Sequence, residues 1–167
     1  MAGINNAILD IKNRLQSTIG FCRIWNNQLR WMEQGQIESF PMPCAFVEVL
    51  MSQEHDQLSM GFTESDVTFR IHVAAVEYDA QDGTLEENKS IFSLRDSVVQ
   101  LLTYFEPSGC SRLMKIREEQ DYEHTNVYHY MISFKCSFID TTGGITLPQS
   151  LITNLEVDAQ LALNIQI

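Results

Sequence analysis

Apolar residues recur at helical spacing near the start of the chain and at alternating positions further on. The first set forms one face of a predicted helix: Ile4, Ala7, Ile8, Ile11, Leu15 and Ile19. Strand patterns follow at residues 45–50 and 66–78, a second helix at about 85–105, and two more strands at 113–119 and 127–140. This order, α-β-β-α-β-β, predicts an α+β fold: one antiparallel-rich sheet with both helices packed on a single face.

The two longest strand patterns each have an apolar and a polar side. Odd positions from Val67 to Ala75 are apolar, and His72 lies on the other side. Even positions from Tyr128 to Phe138 are likewise apolar, and His129 lies opposite them. His72 and His129 could therefore be neighbours across the sheet. Surface imidazoles are the ordinary interpretation, and a metal-binding pair is the alternative.

Two segments do not fit the simple pattern. Residues 21–37 contain both tryptophans, which either pack in a core or anchor an interface. Residues 53–66 are polar, and they predict a long hairpin loop of the kind that often carries function. We expect contacts with another chain at Trp25, Trp31, Gln57, Met60 and Phe62.

The end of the sequence differs from the rest. Thr142, Gly143 and Gly144 predict the end of the compact unit, so we expect a single domain at 1–144. Residues 145–167 are predicted to be a C-terminal extension, either an extra strand or an arm that reaches a neighbouring chain.

The chain is acidic. Its 22 acidic and 11 basic residues give a net charge of −11, which argues against wrapping a phosphate backbone. Solubility is the simplest explanation of the charge, and a surface that faces DNA without holding it is the sharper one. Acidic candidates for such a surface lie near the tip of the last hairpin, at Glu118, Asp121 and Glu123. A solvated acidic loop is the alternative.

Motifs that specify chemistry are missing from the sequence. It has no C-x-x-C pair, no H-E-x-x-H, no phosphate-binding glycine loop and no G-x-S-x-G. We therefore expect no catalytic residues, no metal site, no cofactor and four free thiols. The first residues lack a signal-peptide pattern, and no apolar run approaches the roughly 20 residues of a membrane span, so we expect a protein of the cytosol at synthesis with no membrane partner.

The order of elements, with a proline-led first strand and a last strand that ends at an aspartate, resembles the tail terminator (tail-completion) proteins of long-tailed bacteriophages. Four segments carry the resemblance: FPMPCAFVEV at 40–49, FRIHV at 69–73, VVQLL at 98–102 and YMISFKCSFID at 130–140. It covers roughly residues 4–140. Segment 21–37 and the C-terminal extension depart from the pattern, and either would suit a neighbouring neck or connector role.

The resemblance implies a virion protein at the head–tail junction, assembled in the host cytoplasm and without catalytic activity. It would form a homohexameric ring on the tail tube, stop tube growth and offer the surface on which the head docks. The implied partners are further copies of the chain, the tail tube protein and neck or connector proteins, with genomic DNA passing through unbound. Other possible functions are a non-catalytic adaptor and a small enzyme on a ferredoxin-like scaffold. A concave pocket holding His72 and His129 would favour the enzyme.

Overall fold

The computed structural model describes residues 3–58, 61–76, 89–124 and 127–144. These residues form three helices and six strands, which confirms the α+β class. The helices are α1 (Ile4–Gln16), α2 (Gln28–Glu33) and α3 (Lys89–Leu102). The strands are β1 (Phe21–Ile24), β2 (Cys44–Met51), β3 (Asp56–Gln57), β4 (Thr63–Val76), β5 (Met114–Asp121) and β6 (Val127–Asp140). The predicted C-terminal extension and residues 85–88 of the predicted second helix lie outside the described residues.

All six strands belong to one sheet, with the order β1-β2-β4-β6-β5. The long strands β4 and β6 pair over their whole length at the centre, and β2 and β5 flank them, all antiparallel. β1 joins the edge of β2 in parallel, and β3 pairs with the start of β4. The sheet is therefore antiparallel-rich, as predicted.

The main core lies between the sheet and the helices α1 and α3, which pack on the same face of the sheet as predicted. We call this the helix face. Alternate residues of β4 and β6 supply its floor: Val67, Phe69, Ile71, Val73, Ile132, Phe134, Cys136 and Phe138. Val98 and Leu102 of α3 are fully buried against them. None of the helices in the described residues is long and apolar enough to cross a membrane.

Segment 21–37 adds two elements that the predicted order lacks, β1 and α2. α2 packs on the opposite face of the sheet, which we call the second face, where a smaller core forms around Leu29, Cys44 and Phe46. The second face is therefore partly covered by the chain itself. β1 has four residues and α2 has six, so neither is long enough to show a clear hydrophobic period.

The predicted long loop at 53–66 is shorter in the structure. β4 begins at Thr63, and β3 pairs with its first two residues, so strand pairing takes up both ends of the loop. The sequence Thr63–Asp66 is polar and gives no sign of a strand. Backbone pairing of these residues with Ser137–Asp140 of β6 makes them extended regardless of side-chain polarity.

Candidate functional site

Two histidines lie side by side on the second face of the sheet. The strand register places His129 opposite Ala74 and His72 opposite Met131, so the histidines are diagonal neighbours. His72 Nδ1 is 2.9 Å from His129 Nε2. The predicted proximity is confirmed. The interpretation as surface imidazoles is wrong, because the two residues are only 2% and 1% exposed.

The indole of Trp25 covers the pair. Its ring lies 3.9 Å from that of His72 with an interplanar angle of 8°, and 5.6 Å from that of His129. The backbone N–H of Trp25 donates to the carbonyl of Val47, which fixes the residue at the end of β1. The sequence did not reveal this contact, because it joins segment 21–37 to strands far along the chain.

Polar contacts continue from the histidine pair to both sides. His72 Nε2 is 3.1 Å from Glu48 Oε2, which also accepts a hydrogen bond from Arg70 at 3.1 Å. His129 Nδ1 is 3.1 Å from Asp121 Oδ2. A chain of ionisable groups thus crosses the sheet from β2 through β4 and β6 to β5.

Asp121 brings a third histidine into the arrangement. His124 Nε2 is 3.6 Å from Asp121 Oδ2, and His124 Nδ1 is 2.9 Å from Glu33 Oε2 on α2. Asp121, His124 and His129, which we call the Asp121 cluster, each offer one metal-ligating atom within 4.8 Å of the others. A groove of about 470 Å³, lined in part by Trp25, Asp121 and His124, opens beside the cluster.

Burial and polar neighbours together set the charges of these groups. The pKa of His72 is lowered from 6.5 to about 2, chiefly by burial and further by the neighbouring His129 and Arg70. Burial also lowers the pKa of His129. For Asp121, burial raises the pKa, but a hydrogen bond from the backbone N–H of Glu123 and the nearby His129 and His124 outweigh it, so the pKa falls. The rings of His72 and His129 are therefore neutral near pH 7, and Asp121 is an anion.

The predicted interpretation of Asp121 as part of a solvated acidic loop does not describe this cluster. The sequence holds one usable signal, because Asp121 and His124 are three residues apart at the start of a hairpin. A hairpin with that tip brings the following strand, and with it His129, back beside Asp121. The predicted strand ends at residue 119, whereas β5 continues to Asp121 and pairs it with His129.

Glu118 lies apart from Asp121. Strand residues three positions apart point to opposite faces, so Glu118 faces α3, where it accepts hydrogen bonds from Arg95, Lys115 and Tyr130. Burial raises the pKa of Glu118, but these donors outweigh it and lower the pKa to about 2. Glu118 and Asp121 therefore do not form one acidic surface.

The remaining predicted contact residues are spread over the surface. Trp31 is half-buried on α2, and Glu123 is exposed beyond the end of β5. Gln57 is exposed on β3, and its side-chain amide donates to the carbonyl of the half-buried Phe62 at 3.2 Å. Met60 lies outside the described residues.

Both edges of the sheet carry exposed apolar side chains. At the β5 edge, a β-bulge between Lys115 and Arg117 sets Ile116 out of register, and this residue is 56% exposed. At the β1 edge, Ile24 is 56% exposed and lies beside Leu9 of α1, which is 48% exposed. A groove of about 580 Å³ runs between α1 and β1 and is lined by these two residues, Ile8 and a few polar side chains.

Comparison with known proteins gives little further guidance. No family model and no curated protein matches the chain. Among the solved structures that match is one whose name is a bare sequence identifier; it is similar over 87% of this chain and 96% of its own, at 12% identity and a TM-score of 0.43.

Proposed function

We propose that this chain is a ring-forming structural protein that caps the tail tube of a bacteriophage and offers the surface on which the head docks. The sequence resemblance to tail terminators suggests this function, and the α+β sheet with two helices on one face agrees with it. The observation that carries the proposal is the pair of unlike apolar edges at opposite ends of the sheet.

A ring needs two different surfaces on each subunit. Contacts between unlike surfaces are head-to-tail, and they close into rings when the rotation per subunit allows it. Here one surface is the β5 edge with Ile116, and the other is the β1 edge with Ile24 and Leu9. In the described part of the chain β1 and β5 each pair with a strand on one side only, so the edge of one subunit can add to that of the next.

The charge of the chain suits a ring that surrounds DNA. A net charge of −11 disfavours tight contact with a phosphate backbone, because such contact needs lysine and arginine to release counterions. DNA would pass such a ring without being held.

The test is the mass of the tag-free protein in solution, followed by imaging with tail tubes. We expect a hexamer of 19.1 kDa chains by light scattering and rings by negative-stain electron microscopy. Added to growing tail tubes, the ring should bind tube ends and stop elongation. A connector would instead bind the head and leave tube length unchanged.

Ile116→Glu should abolish the ring without unfolding the chain, because Ile116 is exposed at the sheet edge. Ile37→Glu is the matched control, since Ile37 is also exposed but lies in the loop after α2 and on neither edge strand. A wild-type monomer at micromolar concentration, or a ring that survives Ile116→Glu unchanged, would contradict the proposal.

A further inference from the structure

The three members of the Asp121 cluster place their metal-ligating atoms within 4.8 Å of one another. His124 Nδ1 donates to Glu33, which leaves the lone pair of His124 Nε2 facing Asp121 Oδ2. His129 Nδ1 faces the same carboxylate oxygen at 3.1 Å. Two imidazole nitrogens and one carboxylate oxygen thus converge from β5, the hairpin tip and β6.

The hydrogen-bond chain through His72 and His129 has one proton too few when both imidazoles are neutral. Three contacts join Glu48, His72, His129 and Asp121, and each needs one proton between two acceptor atoms. Two neutral imidazoles supply only two N–H protons. When His72 donates to Glu48 and His129 donates to His72, the contact between His129 Nδ1 and Asp121 has no proton.

We propose that Asp121, His124 and His129 bind one divalent transition-metal ion of the zinc class, which links the two strands of the β5–β6 hairpin to its tip. Nitrogen and carboxylate ligands together suit Zn²⁺. Ligand atoms about 2.0–2.1 Å from a tetrahedral zinc are about 3.3 Å apart. The distances from Asp121 Oδ2 to the two nitrogens, 3.1 and 3.6 Å, lie on either side of that value, and the two nitrogens lie within 4.8 Å of each other.

The groups around the cluster orient its histidines as metal sites require. A metal-bound histidine usually donates its other N–H to an acceptor that fixes the ring. His124 does so to Glu33, and His129 does so to His72, which in turn donates to Glu48. With a metal on His129 Nδ1, the two remaining contacts of the hydrogen-bond chain, His129–His72 and His72–Glu48, each have the one proton they need. Glu123, which lines the adjoining groove, or water can complete the coordination.

The test is titration of the full-length, tag-free protein with Zn²⁺ by calorimetry after dialysis against EDTA. We expect one Zn²⁺ per chain and a higher melting temperature. With Co²⁺, we expect the visible absorption of a tetrahedral site. His124→Gln and Asp121→Asn should each weaken binding by more than about 100-fold, and Glu33→Gln, which changes only an orienting group, by about 10- to 100-fold.

His55→Gln is the matched control, because His55 is exposed and lies outside the Asp121 cluster. It should bind Zn²⁺ as the wild type does. Circular dichroism checks that each variant is folded, and Glu33→Gln keeps the test informative if a ligand variant is not. Absence of stoichiometric Zn²⁺ binding in the wild type, or affinity unchanged in His124→Gln and Asp121→Asn, would overturn the proposal.

Discussion

The indole of Trp25 lies almost parallel to the ring of His72, with 3.9 Å between ring centres. This contact joins the end of β1 to the middle of β4 and closes the second face over a pair of buried histidines. The same indole meets Phe46 edge-on at 5.6 Å, so it also belongs to the smaller core.

Trp25→Ala should destabilise the protein by about 3 kcal/mol, because it removes a large aromatic side chain and opens the histidine pair to water. Trp31→Ala is the control, since Trp31 is not among the residues packed on the smaller core. We expect a much smaller loss there. Urea denaturation of both variants measures the difference, and equal losses would show that the contact with His72 contributes little.

Stability should fall as the pH is lowered from 6.5 towards 5. Burial keeps the pKa of His72 and His129 below the unfolded value of 6.5, so the unfolded chain binds more protons than the folded one in this range. The stabilisation is complete above pH 6.5 and decreases on acidification by at most about 1.4 kcal/mol per pH unit for each histidine.

Denaturation in EDTA at several pH values tests this dependence, and EDTA removes any contribution from bound metal. In His72→Asn the stability should change less steeply with pH over the same range, because one of the two titrating groups is gone. A slope identical to that of the wild type would mean that His72 binds as many protons in the folded chain as in the unfolded chain.

The helix face should be sensitive to truncation of α3. Leu102→Ala should cost about 3 kcal/mol and Val98→Ala about 2 kcal/mol, since both side chains are fully buried in the main core. Gln100→Ala, on the exposed side of the same helix, should leave the free energy of unfolding nearly unchanged. If neither core variant lost even about 0.5 kcal/mol, the packing of α3 on the sheet would need revision.

Duplex DNA should not bind this protein measurably at physiological salt. The acidic residues outnumber the basic ones by 22 to 11, so contact with phosphates would bring like charges together. Fluorescence anisotropy with a labelled duplex over a range of salt concentrations measures the affinity. Micromolar or tighter binding that weakens with salt would contradict this expectation.

The hydrophobic pattern predicted the parts of the fold that are long and regular. α1, the helical stretch around Val98, and the strands β4 and β6 follow runs in which apolar residues recur at a fixed period, and β2 follows an almost continuous apolar run. Each of the periodic elements buries one face, so its apolar residues recur with the period of the helix or strand. A short stretch of sequence is enough to show that period. β1, α2 and β3 are too short to repeat it, and they form because β2, β4 and the smaller core offer them a partner.

The candidate metal site likewise combines features that the sequence predicts with features that only the tertiary structure decides. The sequence placed His72 and His129 on the polar sides of two strands and Asp121 near a hairpin tip. Only the tertiary structure decided that the two histidines are buried and that Asp121 and His129 meet His124, because Trp25 and Glu33 come from a distant segment and cover that end of the sheet. Periodicity reports which side of a strand a residue occupies. What covers that side depends on contacts between residues far apart in the chain, and those contacts leave no local pattern.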